Sequence, residues 1–216
     1  MKIIEPYFII EDMPNGAEAL KKLERAGRTA YKSEERITED SAEKFVAMVI
    51  RRGHTSVLEH CSASVRIICD RGVSHEIVRH RIGVAYTQES TRYCNYGTGD
   101  DGVTFISPCF WPANNPYSEI VSATRVWWEE AMENAESAYL RLLECGATPQ
   151  QARSVLPNSL KTEIVCTYTF RAWRHFFGLR TDKAAHPQMR QIAVPLLAEF
   201  RRRIPVVFDD VGTVEF

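Results

Sequence analysis

Arg79-His80-Arg81-Ile82-Gly83-Val84-Ala85-Tyr86-Thr87-Gln88-Glu89-Ser90-Thr91-Arg92-Tyr93 gathers three guanidinium groups, an imidazole, four hydroxyl or amide side chains and two aromatic rings within fifteen residues. Guanidinium forks match phosphates and planar carbonyl edges, so this run reads as the seat of a multiply charged ligand. On residue type alone an arginine is a surface or ion-pair residue. The crowding of these beside a Ser-Thr stretch favours the functional reading here. Arg153 and the later group Arg171, Arg174 and Arg180 lack such company in the linear sequence.

Around this stretch the chain is ordinary. It has 216 residues, enough for one sizeable domain with its own core. With 44% apolar and 25% charged residues and a formal net charge of -1, it resembles a soluble globule and offers no whole-surface attraction to nucleic acid. A basic site must therefore be local. No apolar run reaches the roughly 20 residues of a spanning helix, and residues 1–6 lack the apolar core of a signal peptide, so the expected location is cytoplasmic, away from membranes. Six scattered cysteines without a C-x-x-C pair read as reduced core thiols.

The apolar periodicity predicts helices over residues 17–31 (Leu20, Leu23, Ala26) and from Asp40 or Ser41 to Gly53 (Ala42, Phe45, Val46, Val49, Ile50). Residues 64–69 alternate as a strand, and residues 73–80 read as a short helix with Glu76, Arg79 and His80 on one side. Residues 83–102 read as a long loop and 103–106 as a strand. Residues 118–145 carry the longest helical pattern. Its stripe includes Ile120, Val121, Thr124, Trp127 and Trp128, an apolar face wide enough to suggest burial against another subunit. Thr148-Pro149-Gln150-Gln151 forms a capping box, placing Arg153 early in a short helix. Alternation returns from Leu160 to Phe170, followed by a helix over 171–177 stopped at Gly178 and a last helix over 187–203 interrupted by Pro195.

No glycine-rich dinucleotide loop, P-loop or nucleophile elbow is present, and His54 and His60 lack the spacing of a zinc helix, so no metal site is expected. The residues alone lead to a polyanion-binding, nucleotide-type site. A nucleotide- or RNA-binding module, in which Tyr86, Tyr93 and Tyr96 stack on bases, fits the same arginines, as does a flavin reductase.

Arg79-His80-Arg81 followed by Ser90-Thr91-Arg92-Tyr93 resembles the signature of flavin-dependent thymidylate synthases. Gly53-His54-Thr55-Ser56-Val57-Leu58-Glu59-His60 is similar to that family's G-H-x-[ST]-x-x-E-H element, and Ala152-Arg153 with Leu156-Pro157 to its A-R-x-x-L-P. Leu179-Arg180 with Asp182 and His186-Pro187-Gln188 resembles its final segment. The resemblance covers nearly the whole chain. It implies a single domain over residues 1–216, of α+β class, with a mixed or antiparallel sheet flanked by helices, one long helix, and a homotetramer with active sites at subunit interfaces.

The reaction it implies is reductive methylation of dUMP to dTMP, with methylenetetrahydrofolate as carbon donor, FAD as hydride carrier and NADPH as reductant. Implied cofactor residues are Ser56, Glu59, Arg79, His80, Arg81, Gln88, Thr169, Arg171 and His175, with Ser56 and Glu59 reaching FAD from a neighbouring subunit. Substrate residues are His54 at the folate end and, for the nucleotide, Glu76, Arg79, Gln88, Glu89, Ser90, Thr91, Arg92, Arg153 and Arg180. Ser90, Arg92 and Arg153 would take the phosphate. Arg180 would be the catalytic cation, facing the uracil edge. The chain departs from the family pattern in three ways. Eight residues separate Arg81 from Ser90 instead of seven; Glu76 and Gln88 stand where Gln and Glu are frequent; Thr169 and His175 stand where Asn is frequent.

Overall fold

Two short strands, β1 (Lys2–Ile4) and β2 (Tyr7–Asp12), precede the first helix, where periodicity alone predicts none. A computed structural model of the chain describes residues 1–98, 102–111 and 119–212. Helix α1 (Gly16–Thr29) starts at Asn15, whose side chain accepts from the Ala17 amide at 3.0 Å. Helix α2 (Ser41–Arg51) buries Ala42, Val46 and Val49, the face its spacing predicts, and ends before Gly53 at φ 72°. A 3-10 turn, Thr55–His60, leads into β3 (Ser62–Asp70).

Helix α3 (Arg71–Ile77) follows β3 without a loop because the Asp70 side chain accepts from the Val73 amide at 2.8 Å. It ends at Ile77, so Arg79 and His80 lie past it and share no helical face with Glu76. The expected long loop after it contains β4 (Val84–Gln88). None of its residues is fully buried, so it lacks the core-facing stripe that marks β3 and β6. Strand β5 (Thr104–Ile106) and the 26-residue helix α4 (Glu119–Glu144) match expectation. Ser118 and the side chains of Ile120 and Val121 fall outside the described residues. Helix α5 (Pro149–Ala152) carries the predicted capping box, and β6 (Lys161–Thr169) the predicted alternation. Helix α6 (Phe170–Arg180) runs through Gly178, whose place in open space demands nothing of a glycine. Helices α7 (Pro187–Arg203), with Pro195 inside it, and α8 (Pro205–Phe208) complete the chain.

Strands β2-β3-β6-β4 form one sheet in that order, and β1 pairs with β5 in parallel. The β3–β6 pair is antiparallel, since the Phe170 amide reaches the Cys61 carbonyl while the Arg71 amide reaches that of Leu160. The β6–β4 pair is too, with Thr169 bonded to Gly83 and Glu89 to Glu163. The architecture is thus mixed α and β with an antiparallel sheet and helices. Among the described residues no helix is long and apolar enough to cross a membrane.

The chain forms two units. The first comprises Met1–Tyr7, Ile67–Arg79 and Thr87–Ile164; the second Phe8–Arg66, His80–Tyr86 and Val165–Phe216. In the first, Val103, Phe105, Met132, Tyr139, Ala152 and Leu160 make the core. Trp127 does not join it: that ring is 70% exposed, and the packed face of α4 instead runs through Arg125, Met132 and Tyr139. Arg125 can be buried because it pairs with Glu129 at 2.5 Å and donates to Ser107 Oγ at 2.8 Å and the Trp111 carbonyl at 3.2 Å, with its guanidinium 4.8 Å over the Trp128 ring. The second unit is built on Trp173, which packs within 5.5 Å of Tyr168, Phe176, Phe177 and Phe200. Cys61, Cys69 and Cys166 are buried free thiols, as expected, whereas Cys145 is exposed; burial pushes the Cys166 thiol up to about 12.

Candidate functional site

In the first unit the polar residues of the opening stretch meet β6 and α5. Gln88, near the end of β4, donates from Nε2 to Ser74 Oγ at 3.0 Å and Thr162 Oγ1 at 3.1 Å. Glu89 has both carboxylate oxygens engaged, one by Tyr96 Oη at 2.6 Å and the other by Lys161 Nζ at 2.9 Å. Lys161 also donates to Glu163 at 2.7 Å. Burial would lower the Lys161 pKa, but the bonds to Glu163 and Glu89 outweigh it and raise it. Burial first, and then the bond to Glu89, raises that of Tyr96.

The chain then turns at Ser90, whose Oγ accepts from the Arg92 amide at 3.3 Å. Arg153 Nη1 donates to Thr91 Oγ1 at 3.0 Å, and Arg92 Nε to Gln150 Oε1 at 2.9 Å. Gln150 lies on α5, whose capping box sets where Arg153 leaves the helix. The structure therefore brings Ser90, Thr91, Arg92 and Arg153 together, although about sixty residues of sequence separate the last from the others. Glu76 is half-buried and Arg79 exposed; the Arg79 amide donates to the Glu76 carbonyl at 3.2 Å.

In the second unit His80 is 8% exposed and accepts from Arg180 Nε at 3.1 Å through its own Nε2. That geometry requires a neutral ring. Burial, with Arg180 and then His175 adding repulsion, lowers the His80 pKa to about 4. Its ring lies 5.1 Å from Phe176 and 5.6 Å from His175, and its carbonyl accepts from Tyr86 Oη at 2.7 Å. Tyr86 Oη meets Tyr168 Oη, also at 2.7 Å, and burial raises both phenols. Arg180 is the last residue of α6, so the aromatic packing of that helix sets its position.

Thr169 caps α6, its Oγ1 accepting from the Ala172 amide at 3.2 Å. A Cβ at Gly83 would stand 2.9 Å from that same oxygen, and Gly83 has φ +68°. The turn that leads from Arg81 into β4 thus requires glycine on both counts. Glu59 and Arg171 pair at 2.6 Å on the surface, each about half exposed. His54, Ser56, Arg81 and His175 are also exposed. Arg79 and Arg81 have no side-chain partner among the described residues. The described residues hold no group of three metal-ligating side chains.

Sequence reasoning missed Tyr96, Gln150, Lys161, Thr162 and Tyr168 as neighbours of these groups. The β6 alternation held the available signal: Thr162, Ile164, Cys166 and Tyr168 are all buried, so a threonine and a tyrosine on that face needed polar partners.

Guanidinium groups reach a Ser-Thr turn in the first unit, and another is held by an imidazole among aromatic rings in the second; guanidinium is the side chain suited to phosphates and planar carbonyl edges. Residues 9–206 match the family model described as thymidylate synthase complementing protein. The flavin-dependent thymidylate synthase of Pyrococcus furiosus is 33% identical over 181 residues, spanning 82% of this chain and 70% of its relative. That of Geobacter sulfurreducens is 36% identical over 209 residues, spanning 92% and 82%. Among solved structures, a UMP/dUMP methylase PolB from Streptomyces cacaoi, bound with 5-Br dUMP, shares the fold with a TM-score of 0.80. It is 22% identical, and the match covers 97% of this chain and 96% of that one. The chain belongs to the flavin-dependent thymidylate synthase family.

Proposed function

We propose that the chain methylates dUMP reductively to dTMP, taking the carbon from methylenetetrahydrofolate and the hydride from NADPH through FAD. Family membership supports the reaction, and the observation that carries the site is the neutral His80 holding Arg180 by its Nε. A guanidinium fixed in this way can stand at a pyrimidine carbonyl edge and stabilise the negative charge that develops in the ring. A protonated His80 would offer no acceptor and would repel Arg180. Arg180 is the catalytic cation in this reading.

Ser90, Arg92 and Arg153 bind the nucleotide phosphate through charge-assisted hydrogen bonds, exchanging the neutral partners Gln150 and Thr91 for an anion. Glu76, Arg79, Gln88, Glu89 and Thr91 complete the nucleotide side, and His54 serves the folate end. FAD fits the donor set: Arg79 and Arg81 are exposed cations without an internal partner among the described residues, on either side of His80 in the chain. Ser56, Glu59, Gln88, Thr169, Arg171 and His175 share in holding it. Bound FAD supplies the hydride, which leaves the protein to orient and polarise.

The enzyme is a cytoplasmic homotetramer with active sites at subunit interfaces, each chain acting as one domain over residues 1–216. The exposed Trp127 on α4 supports the assembly, and the interleaving of both units along the chain supports the single domain.

The test is tritium release from C5-labelled dUMP by FAD-loaded protein given NADPH and methylenetetrahydrofolate. Arg180→Ala should abolish release with flavin still bound. Arg92→Ala should weaken dUMP binding by about 1.5–3 kcal/mol, the worth of a hydrogen bond to a charged group. NADPH oxidation without tritium release would make the protein a flavin reductase. Salt-sensitive oligonucleotide binding without dUMP turnover would make it a nucleic-acid module.

A further inference from the structure

Glu89 directly precedes Ser90 in the first unit, and a carboxylate in that place opposes an anionic ligand at the turn. Its two oxygens are committed elsewhere, one to Tyr96 Oη at 2.6 Å and the other to Lys161 Nζ at 2.9 Å. The backbone is fixed at the same residue, because the Glu89 amide donates to the Glu163 carbonyl at 2.9 Å and ties the end of β4 to β6. Lys161 stands two residues before Glu163 on that strand and donates to its carboxylate at 2.7 Å. With only 16% of its side chain exposed, Glu89 is built to hold its neighbours rather than a ligand.

Tyr96, seven residues further on, is the other foot of the loop. Its amide donates to Tyr139 Oη at 3.3 Å, and its ring lies 5.9 Å from that of Tyr139, which is fully buried on α4. The chain leaves Tyr96 so close to α4 that a Cβ at Gly97 would stand 2.8 Å from Leu143 Cδ1. One foot is thus seated on the sheet and the other on α4, and the bond from phenol to carboxylate joins them. Residues 90–95 lie between, folded on themselves by the Tyr93 and Cys94 amides, which donate to the Ser90 carbonyl at 3.1 and 2.9 Å. Closing so short a loop in advance removes conformational freedom that an anion would otherwise have to remove on binding.

We infer that Tyr96 and Lys161 are positioning residues for the nucleotide phosphate: acting through Glu89, they close the loop of residues 90–95 and hold Ser90 and Arg92 as the anion meets them. The inference rests on the phosphate site proposed above. Glu89 then serves the nucleotide through Ser90 and not by touching it, and its charge is answered by Lys161 before the phosphate arrives. Neither Tyr96 nor Lys161 contacts the ligand in this assignment.

The test is tritium release by FAD-loaded protein measured against dUMP concentration, so that KM and kcat are separated. Tyr96→Phe keeps the ring beside Tyr139 and removes only the bond to Glu89. It should raise KM for dUMP about tenfold, the lower end of what a hydrogen bond to a charged group is worth, with kcat within about twofold and flavin content unchanged. Lys161→Met should raise KM in the same way. Lys161→Arg keeps a cation between Glu89 and Glu163 and should restore it. Unchanged KM in Tyr96→Phe or in Lys161→Met, a fall in kcat equal to that in kcat/KM, or loss of flavin in step with the rise in KM would overturn the inference, as would Lys161→Arg behaving like Lys161→Met. Failure of the phosphate site itself is read separately: the unaltered protein would then release no tritium, or Arg92→Ala would keep the unaltered affinity for dUMP.

Discussion

The surroundings of His80 and those of Glu89 solve the same problem, a titratable group withdrawn from water, in opposite ways. His80 is kept neutral by aromatic packing and by a guanidinium that donates to it. Glu89 is held instead by a lysine and a phenol that both donate to its carboxylate. The first arrangement leaves a cation whose position depends on packing, and the second a lattice in which one lysine is shared by two carboxylates. A site that must polarise a ring gains from the first, and a site that must hold a chain turn in register gains from the second.

The contrast breaks most visibly at Trp173. Truncating this fully buried ring to alanine removes contacts with Tyr168, Phe176, Phe177 and Phe200 and should cost about 3–5 kcal/mol, read from the urea unfolding midpoint. A loss below 1 kcal/mol would mean that the second unit does not depend on its aromatic cluster.

Acid should act next. The His80 pKa lies near 4 in the folded chain against 6.5 for the free group, so the unfolded chain binds the proton first. The stability contributed by the neutral ring is therefore fully present above pH 6.5 and is lost as pH falls towards 4, by up to about 3 kcal/mol in the flavin-free protein. His80→Asn should remove this part of the acid slope. Superimposable pH profiles for the two proteins would show that His80 is not held neutral.

Lys161→Met tests the other region by leaving Glu89 and Glu163 without their shared cation. An uncompensated, partly buried carboxylate costs ~2 kcal/mol, and this should appear as a lower unfolding midpoint that partly recovers at low pH. Midpoints unchanged at every pH would mean that the lattice contributes nothing. The smallest effect is expected at Gly178, inside α6 with open space where a Cβ would go. Gly178→Ala should stabilise the fold by about 0.5–1 kcal/mol, and a lower midpoint would point to strain not visible in the helix.

Much of this was legible in one dimension. The stripe of α2, the capping box before Arg153 and the alternation of β6 appear in the structure where their spacing places them. The misses share a physical origin. Strand β4 has no fully buried residue, so its pairing with β6 rather than its own residues makes it a strand. Glu24 and Arg125 are charged yet buried, each paired with an opposite charge four residues away on its own helix and completed by a serine far along the chain. Trp127 has the right periodicity for the packed face of α4 but lies outside it.

Residue chemistry and its order along the chain were enough to identify the family, since that depends only on local identity and spacing. The protonation state of His80 and the engagement of Glu89 needed the tertiary structure. Each arises from groups distant in sequence whose burial and mutual electrostatics exist only once the chain has closed on itself.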